Sequence, residues 1–113
     1  MYRDYVELPE EVEQQMNDLA DHVSKQLFFR PDIPVKFEFL DVHYELFGKW
    51  ITSKDFKRVF ALTAIDRDQG MKIHMLAEAS NSFSDQENLR TIVDTFLRNR
   101  SGLDPQVEEL EDE

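Results

Sequence analysis

The sequence predicts an α+β domain in two layers: a helix, a three-stranded antiparallel meander and a second helix, with both helices on one face of the sheet. Three observations predict it. Apolar residues recur at a 3.6-residue period towards each end of the chain. The middle alternates apolar and polar residues at a period of two. Short polar stretches join the alternating segments, as hairpins do and parallel crossovers do not.

Residues 9–29 form the first helix in this reading. Val12, Met16, Leu19, Ala20, Val23 and Leu27 fall on one stripe. Pro9 suits the first helical position, and Glu10 and Glu11 sit where the positive end of the helix dipole favours carboxylates. Pro31 and Pro34 end it.

Residues 35–47 read as strand, but the apolar parity flips at Phe39-Leu40. Either a bulge keeps one long strand facing inward or two strands meet there. With no Gly, Pro or Asn to mark a turn, the bulge is the expectation. Gly48-Lys49 then supplies a turn, and 50–65 a second strand with an irregular start at 52–55. In that strand Phe56, Phe60 and Leu62 point one way and Val59, Ala61 and Ile65 the other. A strand apolar on both faces implies a second cover, a subunit or another partner.

Residues 66–70 make a hairpin loop, and Met71, Ile73, Met75, Ala77 and Ala79 a third strand that Leu76 interrupts. Ser84 and Glu87 form a capping box ahead of the stripe Leu89, Ile92, Val93, Phe96 and Leu97. Gly102 closes that helix, and Pro105 follows. The chain of 113 residues thus reads as a single domain over 1–105 with a mobile acidic tail over 106–113.

Charge is segregated along the sequence. The net charge of −11 comes from the two ends: residues 1–24 hold seven acids and one base, and residues 101–113 six acids and no base. Such a layout concerns association rather than fold. It speaks against a free-standing binder of DNA or anionic lipid, which needs Lys and Arg for phosphate. No segment approaches the roughly 20 apolar residues that span a bilayer, and the chain does not open with a signal peptide. With no Cys, a cytoplasmic setting is the expectation.

Motifs for chemistry are sparse. Asp18 and His22 lie one helical turn apart, as two metal ligands do, but no third ligand is named by the sequence. Asp66-x-Asp68-x-Gly70 resembles the start of a calcium loop, with Gly one residue early and Ala77 where the glutamate belongs. There is no nucleophile elbow and no glycine-rich phosphate loop. Neither a metal nor a cofactor is expected, and the chain reads as a non-enzyme.

Two surfaces stand out. Lys49, Lys54, Lys57 and Arg58 interleave with Trp50 and Phe56, the composition of a stacking, cationic surface for single-stranded nucleic acid. The first helix presents Glu10, Glu11, Asp18 and Asp21 as carboxylates for a basic groove on another protein.

The order helix, three strands, helix resembles double-stranded RNA-binding domains, the small nucleoid-associated dimers of bacteria and some acidic phage inhibitors of nucleases, in topology alone. The first of these opens its last helix with a basic cluster, whereas this chain reads Ser84-Asp85-Gln86-Glu87-Asn88. The expectation is therefore an acidic, non-enzymatic protein-binding module: a homodimer that docks on a basic protein, as a phage or accessory inhibitor of a nucleic-acid-handling protein does. Glu10, Glu11, Asp18 and Asp21 form its anionic face, with Trp50 and Phe56 as apolar anchors. The alternative is a small nucleic-acid-binding dimer using the basic residues of 47–58; a small enzyme comes third.

Overall fold

The computed structural model describes residues 9–101. Two helices, α1 (Glu10–Phe29) and α2 (Asp85–Arg100), flank four strands in sequence: β1 (Val35–Phe39), β2 (Val42–Thr52), β3 (Arg58–Asp66) and β4 (Met71–Glu78). The strands form one antiparallel sheet in the order β1-β2-β3-β4. The architecture is α+β, with four strands where three were expected.

The extra strand comes from the parity flip. There is no bulge: Phe39 pairs directly with Val42, and Leu40 and Asp41 make a two-residue turn with φ of 50° and 65°. Both central residues of a type I′ turn need positive φ, which is why Asn-Gly is its usual signature. Leu40 and Asp41 carry no such signature, so the hairpin was hidden. Residues paired across a hairpin face the same way, so the switch from odd to even apolar positions keeps every one of them inward. Replacing Leu40-Asp41 by Asn-Gly is expected to stabilise the protein by about 1 kcal/mol, because a left-handed L-residue costs roughly that much. Urea unfolding checks this as a higher midpoint at unchanged slope.

The second expected turn is also absent. Gly48 and Lys49 lie inside β2, paired with Leu62 and Ala61, and the expected strand over 50–65 is the end of β2, a turn and most of β3. Gly48 serves packing instead: a Cβ there would lie 2.5 Å from the Phe60 ring and 2.6 Å from the Ala61 carbonyl oxygen. The real turn spans 53–57 (Ser53 N–H to Lys57 O, 2.9 Å; Phe56 N–H to Ser53 O, 2.9 Å), and Phe56 sits in it with φ of 62°. Phe56 therefore does not share the inward row of Phe60 and Leu62.

Helix ends follow local chemistry. Pro9 precedes α1 rather than opening it, and its carbonyl accepts from Val12 and Glu13 N–H. The capping box before α2 is present: Ser84 Oγ accepts from Glu87 N–H at 3.1 Å, and Glu87 Oε1 accepts from Ser84 N–H at 2.9 Å. Gly102 and the tail over 106–113 lie outside the described residues.

One core joins the stripes of both helices to one face of the sheet. Met16, Ala20 and Val23 from α1 and Val93, Phe96 and Leu97 from α2 meet Phe39, Leu46, Leu62 and Ala64. The helices run antiparallel, with Glu13 beside Arg98 and Asp21 within reach of Arg90. The other sheet face carries Val59, Ala61 and Ile65, all half-buried, and the more exposed Phe47, Ile51 and Leu76. Leu76 breaks the β4 pattern because it belongs to this outer face. No helix is long and apolar enough to cross a membrane among the described residues.

Candidate docking surfaces

The carboxylates of α1 divide into two sets. Its core stripe turns Met16, Ala20 and Val23 inward, and the 3.6-residue period then places Glu10, Glu11, Asp18 and Asp21 on the opposite side. Glu13, nearer the helix–helix seam, pairs with Arg98 at 3.4 Å. Asp21 is answered by Lys25 at 3.2 Å and Arg90 at 4.0 Å. Glu10, Glu11 and Asp18 hold no cation among the described residues; Asp18 accepts only from the Gln14 amide at 3.0 Å. The four expected anionic residues thus share a face, but Asp21 is partly neutralised.

The expected apolar anchors do not join that face. Trp50 lies half-buried at the other end of the molecule, edge-on to Phe60 with ring centroids 5.1 Å apart. Arg58 covers it, with the guanidinium 4.2 Å from the ring centroid, and reaches Asp85 in the first turn of α2 at 2.6 and 3.3 Å. The Arg58 hydrogen bond holds the Asp85 carboxyl below the usual carboxylate range. That contribution to stability exists above the unfolded pKa of Asp85 and is lost as pH falls through the lowered folded value. Trp50 is therefore a packing residue under a cation. Thirteen residues of helix separate Asp85 from Arg98, about 20 Å at 1.5 Å per residue, so Trp50 and the Glu10 end of α1 are far apart.

Phe56 has the opposite character. It is 88% exposed at the tip of the β2–β3 turn, in a left-handed conformation that bulky residues rarely adopt. The turn closes by Lys57 N–H donating to Ser53 Oγ at 3.2 Å. A glycine would fit the position without strain, and its absence is why the sequence pattern does not mark a turn there.

The basic patch is likewise divided. Lys57 pairs with Glu78 at 3.2 Å and Arg58 with Asp85, while Lys49 and Lys54 have no acidic partner among the described residues. Lys49 projects from the outer sheet face, Arg58 from the inner one, so the four cations do not line one strip.

The remaining polar clusters are structural. Asp66 is 2% exposed, and its Oδ1 accepts from Asp68 and Gln69 N–H, both at 3.0 Å, which makes 66–70 a self-capped turn. Asp68 reaches back to accept from His43 N–H at 3.0 Å, and this bond holds its carboxyl low. Asn88, buried at the start of α2, accepts from Ser80 N–H and donates to the Ser80 and Ser84 carbonyls, tying the β4–α2 connection to the helix. Sequence reasoning missed this residue, since an Asn in a helix gives no sign of its distant partners. Among the described residues no three His, Asp or Glu side chains are placed to hold one metal ion. No protein-family model, curated protein or solved structure matches the chain.

Proposed function

We propose that this protein is a non-enzymatic, cytosolic binding module that docks on a basic protein through the outward face of α1. The observation that carries this reading is the division among its carboxylates. Those facing the helix seam are matched by arginines, whereas Glu10, Glu11 and Asp18 point outward with no cation beside them among the described residues. Outward carboxylates without cations can take the place of phosphates at a basic groove, which suits a protein whose own ligand is nucleic acid; an accessory inhibitor of such a protein is the concrete form. Attraction of this kind raises association rates and selects partners, and it weakens as salt shortens the Debye length to about 8 Å or less. Phe56, at the distant tip, is a candidate for a second, separate contact. The alternative of a nucleic-acid binder is less favoured, because Lys57 and Arg58 are already held by carboxylates of the same chain.

The test is a triple reversal, Glu10→Lys, Glu11→Lys and Asp18→Lys. Basic proteins captured by the natural chain at low salt are expected to be lost from the variant, with its thermal transition nearly unchanged. Equal capture by both chains, or capture insensitive to salt, rules the reading out. Retention of labelled oligonucleotide by the natural chain supports the nucleic-acid alternative instead.

A further inference from the structure

Among the described residues β4 lies at an edge of the sheet, and its pairing with β3 determines which backbone groups are left over. The register runs Val59↔Glu78 and continues to Arg58 opposite Ala79, whose N–H donates to the Arg58 carbonyl at 2.9 Å. In an antiparallel ladder, pairs bonded in this way alternate with pairs whose backbone groups point away. The odd-numbered residues of β4 are therefore bonded to β3. The N–H and C=O groups of Lys72, His74, Leu76 and Glu78 project from the free edge, and their side chains stand on the outer face.

We propose that this edge pairs antiparallel with β4 of a second copy, about a two-fold axis at Met75. That register is selected by the strand itself. Centred on Met75, all four residues with free backbone groups stand opposite one another: Lys72 faces the partner's Glu78, and His74 faces the partner's Leu76. Centred on His74 or on Leu76, only three of the four residues with free backbone groups find a partner, and Lys72 loses the partner's Glu78. A strand with a cation at one end and an anion at the other is self-complementary under a two-fold, the condition an isologous interface requires. Lys72 makes no ion pair among the described residues, and the only cation on Glu78 there is Lys57 of its own chain. Leu76 is 71% exposed and gains cover from the partner's His74 directly and from the partner's Leu76 on the diagonal.

The other edge does not offer the same template. β1 has five residues and follows Pro34, which has no N–H to donate. β4 has eight residues with neither proline nor bulge, two of the devices that keep an edge from pairing, and its one lysine, Lys72, finds an opposite charge in the proposed register. The proposal is independent of the α1 face, whose charge reversal leaves this edge untouched.

Sedimentation equilibrium of the full chain tests it. The natural protein is expected to approach twice its 13.4 kDa mass with rising concentration. Lys72→Glu or Glu78→Lys alone places like charges opposite each other in two symmetry-related pairs, and is expected to raise the dimer Kd by about tenfold. The double variant Lys72→Glu/Glu78→Lys restores the pairing and returns the Kd to within about threefold of the natural value. His74→Pro deletes an N–H that faces the free edge, so β3 pairing is kept and dimerisation is lost. A natural chain that stays monomeric at all concentrations overturns the proposal. So does a dimer that tolerates both single charge variants, or one that the charge swap fails to restore.

Discussion

Phe96→Ala is expected to lower the melting temperature by about 15–25 °C, the largest effect of any single substitution proposed for this protein. Phe96 is 2% exposed and stands edge-on to Tyr44, with centroids 5.6 Å apart and planes at 83°, while Tyr44 stacks in turn on Phe37. It thus links α2 to the first hairpin across the core. Truncating a buried phenylalanine typically costs about 3–5 kcal/mol, since the surroundings close only part of the cavity. A domain of this size has only roughly 5–15 kcal/mol of stability in total. Phe29, 67% exposed after the last buried turn of α1, is the control: Phe29→Ala is expected to change stability by less than about 0.5 kcal/mol. Thermal unfolding followed by circular dichroism separates the two. Equal effects would mean that the helical stripe of α2 is not packed as described.

Gly48→Ala is expected to cost about 2–3 kcal/mol, although alanine is ordinarily the better strand residue by roughly 0.5–1 kcal/mol. The new methyl would meet the Phe60 ring at 2.5 Å and the Ala61 carbonyl oxygen at 2.6 Å. The ring is held in place by Trp50, and the carbonyl belongs to the adjacent strand backbone, so neither neighbour can simply swing away. A double-mutant cycle with Phe60→Leu distinguishes the two contacts. If the ring dominates, Gly48→Ala becomes milder in the Phe60→Leu background, by about 0.5–2 kcal/mol. An unchanged cost in that background assigns the clash to the Ala61 carbonyl, and a neutral Gly48→Ala refutes the close approach of Phe60 altogether.

Both substitutions bear on how far the fold is legible without coordinates. The helices were legible because their stripes are long and their ends carry independent signals: Pro9 and paired glutamates for α1, and the Ser84–Glu87 box for α2. The hairpin over 66–70 was legible because Asp and Gly announce it. The first two turns were not. One uses Leu40-Asp41 and the other Phe56 in conformations that favour Asn or Gly, so local propensity pointed elsewhere and tertiary packing prevailed. Gly48 then misled in the opposite sense, because the same residue that permits turns also permits a close approach between a strand and a ring.

The candidate site divided along the same line. Periodicity alone put Glu10, Glu11, Asp18 and Asp21 on one side of α1, since a helix with an apolar stripe must turn its remaining residues outward. Which of them keep an unanswered charge depended on where α2 brought Arg90 and Arg98, and that is a property of the packed pair. The cluster of Lys49, Lys54, Lys57 and Arg58 is continuous in sequence but not in space, because successive strand residues alternate between faces and a turn intervenes. The chain by itself determined its α+β class, both helices with their inward stripes, and the concentration of acid at its ends, all of which follow from local period and composition. Only the tertiary structure decided the strand count, the burial of Trp50 beneath Arg58, the exposure of Phe56 and the free edge of β4, because each depends on contacts between residues distant in sequence.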